Sequence, residues 1–203
     1  IYLTFDDGPQ AAITASILDI LKKEGVKATF FVTGSGPDEL IKRAYDEGHT
    51  IGLHTYSHNY GTVYSSVDSY FEDLQKVHDR VLNLTGYDSK IIRFPGGSSN
   101  TISRRYKDKI MTELTEEVLK RGYLYYDWNL TSGDAGELKT AEAIKENVIN
   151  HLSKNRVNMI LMHDTKPYTK DALRDIIRYG KENGYRFEAI TPLTEMVRQR
   201  VNN

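Results

Sequence analysis

The residues best suited to chemistry in this sequence are two adjacent carboxylates near its start. Asp6 and Asp7 follow the apolar run 2–5, and Gly8 and Pro9 come directly after them. Asp, Gly and Pro all favour turns, so this stretch could be the ordinary end of a strand. It could also place two carboxylates at the edge of a site. The residues that follow the other apolar runs decide between these two interpretations.

Several other apolar runs also end in polar side chains that could do chemistry. One polar residue after a strand is most often a satisfied loop residue, but agreement among five strand ends favours one shared site. The residues in these positions are His54 and His58 in HTYSH, Arg93 in RFPGG, Asp127 with Trp128, and His163 with Asp164 in ILMHD.

The stretch HTYSH places two imidazoles, His54 and His58, four residues apart. In a helical or turn-like loop both rings project from one side and could share a metal ion. The chain has no cysteine, so a bound metal must use His, Asp or Glu. A carboxylate from Asp6 or Asp7 would complete the His₂-carboxylate set that is typical of a catalytic zinc. Neighbouring strand residues point in opposite directions, so the other carboxylate could stay free as a base.

Seven short apolar runs are expected to form the strands that carry these residues. They are 2–5, 28–33, 50–54, 91–94, 123–128, 158–163 and 185–190, and segments with helical periodicity lie between them and at 192–201. Alternating strands and helices predict the α/β class with a parallel sheet. Seven units favour a distorted (β/α)7 barrel, an incomplete TIM barrel, over an open doubly wound sheet. Chemistry in such barrels gathers at the carboxyl ends of the strands.

The composition is that of an ordinary globular protein. At 203 residues, with 39% hydrophobic and 27% charged residues, the chain suits one domain spanning residues 1–203. A net charge of −1 predicts no nucleic-acid partner. No apolar run approaches the ~20 residues that cross a bilayer, so we expect no membrane insertion by this segment. Ile1 lies inside a strand-like run, which suggests a catalytic segment of a longer chain whose targeting segment lies outside it; a monomer is assumed.

Four ordered motifs make the chain similar to the polysaccharide deacetylase family, also called the NodB-homology family or carbohydrate esterase family 4. The motifs are TFDDGP at Thr4–Pro9, H-[ST]-x-x-H at His54–His58, R-x-P-x-G at Arg93–Gly97 and L-x-H at Leu161–His163. The resemblance covers essentially the whole chain and extends to the catalytic domains of peptidoglycan N-acetylglucosamine deacetylases. It implies a distorted (β/α)7 barrel, in agreement with the seven units counted above.

The resemblance also implies a role for each residue that matches a motif. The implied metal ligands, usually for one zinc ion, are Asp7, His54 and His58, and the implied general base and general acid are Asp6 and His163. The implied supporting residues are Arg93 holding Asp6, Pro95 and Gly96 in the third motif, with the Gly96 N–H facing the oxyanion, and Leu161 in the pocket for the acetyl methyl group.

The fourth motif of the family is altered in this chain. The stretch DWNLTSGDA has Thr131 where the family often has Asp. Two aspartates remain that could hold the imidazole of His163, and we expect Asp134 to do so first and Asp127 second.

A second departure in the same stretch concerns the wall of the substrate groove. Ala135 stands where the family often has Trp. Trp128, which lies just upstream, is expected to form that wall instead.

The predicted function is metal-dependent removal of N-acetyl groups from GlcNAc residues of a polysaccharide. Peptidoglycan is the favoured polymer, because a cysteine-free, near-neutral catalytic segment suits an extracellular or cell-surface enzyme of a Gram-positive wall. Chitin oligomers, an exopolysaccharide and acetyl-xylan remain open, since the motifs recognise the acetyl group and not the chain that bears it. Two other classes are a barrel that binds carbohydrate without catalysis and a metal-dependent phosphoesterase. The retained carboxylates and imidazoles disfavour the first, and the lack of evident ligands for a second metal disfavours the other.

Overall fold

Seven short strands form one parallel sheet in the computed structural model, which describes residues 1–203. The strands are β1 Tyr2–Asp6, β2 Thr29–Val32, β3 Thr50–Leu53, β4 Ile91–Ile92, β5 Leu124–Tyr125, β6 Leu130–Thr131 and β7 Met159–His163. Their order across the sheet is β5-β4-β3-β2-β1-β7-β6. This is the cyclic order of a barrel cut between β5 and β6, whereas a doubly wound sheet reverses direction at a switch point. The predicted α/β class and the incomplete (β/α) barrel are confirmed.

Helices occupy most of the connections between the strands. They are α1 Ala11–Glu24, α2 Asp38–Asp46, α3 Tyr60–Val63, α4 Val67–Thr85, α5 Ile110–Lys120, α6 Ala141–His151 and α7 Pro167–Glu182, with a short 3₁₀ helix at Ile102–Arg105. Ser66 caps the start of α4 by accepting from the Ser69 N–H, and Gly86 ends the helix in the left-handed conformation at φ 72°. None of the helices combines the length and the apolar character needed to cross a bilayer.

The main apolar cluster of 37 buried residues joins the strands to the surrounding helices. Leu3 and Phe5 of β1 are fully buried, as expected for a strand in the middle of a covered parallel sheet. Leu74, Val77 and Val81 form the buried stripe of α4, at the spacing that places residues on one helix face. This packing holds the carboxyl ends of the strands, where the polar residues lie, in fixed positions.

One of the seven predicted strands, residues 185–190, does not form. Residues 185–190 and 192–201 form neither a strand nor a helix, and residues 185–203 make an irregular C-terminal segment. The Ile1 ammonium group donates to Arg186 O at 2.7 Å beside the start of β1. Since β1 already pairs with β2 and β7 along its two edges, this segment has no free edge to join there. The sheet still has seven strands, because β6 takes the place of the missing one in the count. The two residues of β6 pair with β7.

The guanidinium of Arg93 ties three parts of the barrel together. Its side chain is fully buried. Nη1 donates to Thr4 Oγ1 at 2.6 Å and to Asp6 Oδ1 at 2.8 Å, both in β1. Nε donates to Tyr126 O at 2.8 Å and Nη2 to Asp127 O at 2.9 Å, in the connection between β5 and β6. Arg93 therefore joins β1 to the connection that crosses the cut between β5 and β6.

We predict that Arg93→Lys destabilises the protein. Lysine lacks the planar fork and cannot reach both carbonyls, which leaves buried acceptors without donors. Breaking a buried charged contact of this kind costs roughly 3 kcal/mol, which for a chain of this size lowers Tm by about 10 °C. Thermal unfolding followed by circular dichroism measures the change.

Arg104→Lys is the matched control for Arg93→Lys, because the Arg104 side chain is 55% exposed. Its Tm should stay close to that of the unchanged protein, since exposed substitutions usually alter stability by about 0.5 kcal/mol or less. Equal Tm values for both variants would show that the Arg93 contacts do not stabilise the barrel.

Candidate active site

A pocket of about 260 Å³ opens at the carboxyl ends of the strands. This is the place where the sequence predicted a site, and most of the predicted side chains line it. Those that line it are Asp6, Asp7, His54, His58, Gly96, Trp128, Leu161 and His163, together with Tyr60 and Ala135. The structure therefore brings together residues that are up to 157 positions apart in the sequence, as between Asp6 and His163.

Three of these residues form a set of donor atoms suited to a divalent metal ion. One ligand atom from each of Asp7, His54 and His58 lies within 4.8 Å of the other two. Asp7 Oδ1 lies 3.5 Å from His54 Nε2 and 3.3 Å from His58 Nε2. This carboxylate oxygen is buried and has no hydrogen-bond partner in the protein. A buried, unpaired carboxylate oxygen facing two imidazole nitrogens fits a cation such as zinc.

The backbone turns that place these ligands are unusual for residues other than glycine. Asp7 has φ 75°, Thr55 has φ 62° and His58 has φ 50°, all in the left-handed region. The expectation that Asp6 and Asp7 alternate as neighbours in one strand is wrong, because β1 ends at Asp6 and the chain turns at Asp7. Both carboxylates consequently face the same pocket. Backbone strain of this kind is common at functional sites.

The orientation of His54 follows from the hydrogen bond on the far side of its ring. Nδ1 lies 2.8 Å from the carbonyl oxygen of Arg93. A carbonyl oxygen can only accept, so Nδ1 carries a hydrogen, and Nε2 is the ring nitrogen that faces Asp7 and could bind a metal. Such a partner behind the ring is the usual way in which proteins fix a histidine that binds metal.

Asp73 of α4 holds the HTYSH loop and was not foreseen from the sequence. It is buried, and its Oδ1 accepts from the N–H groups of Tyr56 at 2.6 Å and Ser57 at 3.0 Å. These two residues lie between His54 and His58, so the contact fixes the distance between the rings. The available signal was a carboxylate on the otherwise apolar face of a helix, where an unpaired charge would be costly.

Asp6 and Asp7 have different surroundings although they are adjacent. Asp6 is 2% exposed and accepts from Arg93 through Oδ1, while its Oδ2 lies 3.7 Å from His54 Nε2. At Asp7, burial would raise the pKa, but contact with His54 and the charges of the imidazoles outweigh burial and hold the pKa well below its usual range. One carboxylate is thus held by an arginine and the other by histidines.

His163 is held by Asp134. Its Nδ1 lies 2.8 Å from Asp134 Oδ1, and its backbone N–H donates to Asp134 Oδ2 at 2.7 Å. Burial would lower the pKa of His163, but the hydrogen bond and charge of Asp134, with the charges of Asp6 and Asp7, raise it to about 9. Asp127, the second candidate for this contact, binds the loop at Ser98 instead.

Asp164 follows His163 in the sequence but turns away from the pocket. Its Oδ2 lies 2.7 Å from Thr14 Oγ1, and burial raises its pKa to about 7. The same carboxyl packs against Gly8, where a Cβ atom would lie 2.0 Å from Oδ2. Gly8 is therefore required by this close approach.

Gly96 lines the pocket beside the metal-ligand set and belongs to residues 94–100, here called the glycine loop. Gly96 and Gly97 both adopt left-handed conformations, at φ 75° and 78°. Gly96 is exposed, and its N–H donates to no acceptor in the protein. Pro95 is buried and does not line the pocket, and its carbonyl oxygen accepts from Tyr64 Oη at 2.7 Å. A residue that lines the pocket thus has a backbone N–H without an acceptor in the protein.

Aromatic and apolar side chains complete the walls. Trp128 lines the pocket together with Ala135, as expected if it replaces the tryptophan that the family often has there. Leu161 of β7 lies on the floor and is 8% exposed. Tyr60 was missed, and its Oη lies 2.4 Å from the position that a Cβ on Gly96 would take. A side chain at position 96 would therefore collide with Tyr60. Sequence spacing does not show this contact, because the two residues are far apart in the chain.

Comparison with known proteins agrees with this geometry. The polysaccharide deacetylase family model matches residues 1–114. The chain is 37% identical over 194 residues to putative polysaccharide deacetylase YheN of Bacillus subtilis, covering 92% of this chain and 65% of that one. It is 34% identical over 196 residues to a peptidoglycan-N-acetylglucosamine deacetylase of Bacillus cereus, covering 93% and 68%. The chain thus spans about two thirds of the length of these curated relatives.

A solved structure gives the same assignment. The crystal structure of the catalytic domain of peptidoglycan N-acetylglucosamine deacetylase from Eubacterium rectale superposes with a TM-score of 0.97 at 44% identity, covering 100% of this chain and 93% of that one. With the family match and the two relatives, this similarity shows that the chain belongs to the polysaccharide deacetylase family.

Proposed function

We propose that this protein removes N-acetyl groups from GlcNAc residues of peptidoglycan, as an extracellular or cell-surface hydrolase that depends on one divalent metal ion, most simply zinc. One observation carries the proposal: the metal-ligand set, a second carboxylate and an imidazole–carboxylate pair all face one pocket. The names of the relatives from Bacillus cereus and Eubacterium rectale support the choice of polymer. We further propose that residues 1–203 act as one catalytic domain and as a monomer.

The metal ion would be held by Asp7, His54 and His58. Their donor set of one carboxylate and two imidazoles leaves coordination positions open, as catalytic sites require. When bound, such an ion supplies Lewis acidity, which polarises the amide carbonyl and makes water a stronger acid near neutral pH. The side chains and backbone of the protein would perform every other part of the reaction.

Asp6 would act as the general base. Arg93 holds its Oδ1 at 2.8 Å, and this fixed position leaves Oδ2 to accept the proton of the attacking water. Water then adds to the carbonyl carbon of the acetamide, and the carbonyl oxygen becomes an oxyanion. The N–H of Gly96, which has no acceptor in the protein, would donate to that oxyanion. A donor of this kind contributes about 10²–10³ in rate.

His163 would act as the general acid. Asp134 accepts from Nδ1, so Nε2 faces the pocket and can give its proton to the departing nitrogen. The C–N bond then breaks, which leaves acetate and the free amine of glucosamine. Leu161 would contact the acetyl methyl group, and Trp128 would form the wall beside the sugar. These contacts recognise the acetyl group, so chitin oligomers, exopolysaccharide and acetyl-xylan are the substrates against which peptidoglycan must be compared.

We predict that Asp6→Asn and Asp7→Ala separate catalysis from metal binding. Asp6→Asn should bind zinc with unchanged stoichiometry and lose roughly 10²–10⁴ in kcat, the usual contribution of a general base. Asp7→Ala should lose zinc binding, because it removes the only carboxylate of the ligand set. Calorimetric zinc titration and acetate release measure the two effects, and equal loss of zinc by both variants would contradict the assignment.

We predict that Asp134→Asn shifts the alkaline limb of the kcat/KM profile to lower pH. The protonated form of His163 is the active one, and its pKa of about 9 keeps it protonated through neutral pH. Without the carboxylate this pKa should fall toward the ordinary value of ~6.5, so activity at pH 8 is lost first. A pH series of initial rates gives both limbs.

Glu137→Gln is the control for the pH series, since Glu137 is an exposed carboxylate in the same loop. It should leave the profile unchanged. An alkaline limb that stays in place in Asp134→Asn would show that Asp134 does not hold the proton on His163.

The function itself is tested by acetate release from N-acetylated peptidoglycan, chitin pentamer and acetylated xylan. Each is incubated with metal-stripped protein and again after zinc is restored. The proposal expects release from peptidoglycan only after zinc is added. Release from another polymer alone would correct the substrate, and no release from any polymer despite stoichiometric zinc binding would refute the deacetylase proposal.

A further inference from the structure

Asp127 is a fully buried carboxylate that lies outside the reacting pocket. It accepts three hydrogen bonds and so leaves neither oxygen unpaired. Oδ1 accepts from the Ser98 N–H at 2.8 Å, while Oδ2 accepts from Ser98 Oγ at 2.5 Å and from the Gln199 N–H at 2.8 Å. A buried charge with three donors joins its neighbours firmly. Here it joins the glycine loop to the C-terminal segment.

The side chain of Gln199 makes a second connection between the same parts. Nε2 donates to Trp128 O at 3.0 Å, and Oε1 accepts from Ser99 Oγ at 2.5 Å. Asn202 adds a third contact by donating through Nδ2 to Ser99 O at 3.1 Å. The C-terminal segment thus forms hydrogen bonds with both the glycine loop and the backbone of Trp128.

The glycine loop needs external support because its active part has no side chains. Gly96 and Gly97 are both left-handed, and consecutive glycines have the greatest freedom to move. The Trp128 ring lies directly on this backbone, since a Cβ on Gly97 would lie 2.9 Å from Cη2. The positions of Trp128 and Ser98 therefore constrain the backbone that carries the N–H of Gly96. A displacement of about 1 Å at a catalytic donor can cost 10²-fold in rate.

We propose that Asp127 and Gln199 are positioning residues that hold the Gly96 N–H donor and the Trp128 wall in their working places, so that the C-terminal segment is part of the catalytic apparatus. This inference rests on the proposed function. Neither residue falls within residues 1–114, which match the family model. Both act through other groups, because neither lines the pocket.

Gln199→Met tests the inference, because methionine has a similar length and cannot make either side-chain hydrogen bond. The donor would meet charge that develops only in the transition state, so its displacement should lower kcat more than it changes KM. We expect kcat to fall about 10-fold and KM to change less than about 3-fold, since complete loss of such a donor costs 10²–10³. Arg200→Met is the matched control, since Arg200 is exposed and is expected to keep kcat unchanged.

Trp128 provides a second readout that does not depend on turnover. It is the only tryptophan in the chain, so fluorescence excited selectively at tryptophan reports on this wall alone. Gln199→Met should raise the acrylamide quenching constant of Trp128, and Arg200→Met should not. A residue with only a structural role would lower Tm but leave both kcat and quenching unchanged when they are measured well below Tm.

Ser98→Ala provides an independent variant if Gln199→Met does not fold. It removes the Oγ contact with Asp127 and keeps the backbone contact, so we expect a smaller loss in kcat of about 3-fold. Unchanged kcat and quenching in a folded variant, beside an active parent protein, would overturn the inference. An inactive parent protein would instead refute the proposed function, and the quenching comparison would still decide whether the C-terminal segment holds Trp128.

Discussion

The buried guanidinium of Arg93 is the constraint on which the rest of the structure depends. A cation without access to water is tolerated only when its donors are satisfied, and here they meet a hydroxyl and a carboxylate of β1 and two carbonyls of the connection between β5 and β6. These contacts hold β1 against the connection that crosses the cut in the barrel. They also fix one oxygen of Asp6, so the fold and the position of the proposed base have the same cause.

The chemistry of the pocket depends on giving similar groups different neighbours. Asp6 lies against an arginine, and Asp7 lies between two imidazoles. His54 has a carbonyl oxygen behind its ring, whereas His163 has the carboxylate of Asp134 there. A carbonyl oxygen fixes which nitrogen of an imidazole carries the hydrogen and so leaves the other to bind a metal, while a carboxylate adds a full charge that favours the protonated ring. The neighbours of each group thus decide between a ligand, a base and an acid.

The sequence was most informative where function depends on short spacing. Asp6, Asp7, His54, His58 and His163 could be found because each follows a strand or lies within one loop, and parallel strands bring such ends together. It was least informative where a long-range contact decides. The apolar alternation at 185–190 predicted a strand, but the edges of β1 were already occupied. The roles of Asp73, Tyr60 and Gln199 arise from tertiary contacts with residues that no local pattern connects to them.

The cut between β5 and β6 has a consequence for the behaviour of the protein in concentrated solution. An exposed sheet edge is a template on which other chains can add strands and aggregate. Both edge strands here have only two residues. Neighbouring groups also occupy some of the backbone hydrogen-bonding groups at or next to these edges. Asn147 of α6 donates to Thr131 O at 2.8 Å, and the Asp127 N–H next to the cut donates to Val197 O at 2.8 Å. The open barrel therefore offers little free strand edge for another chain to pair with, without having to close.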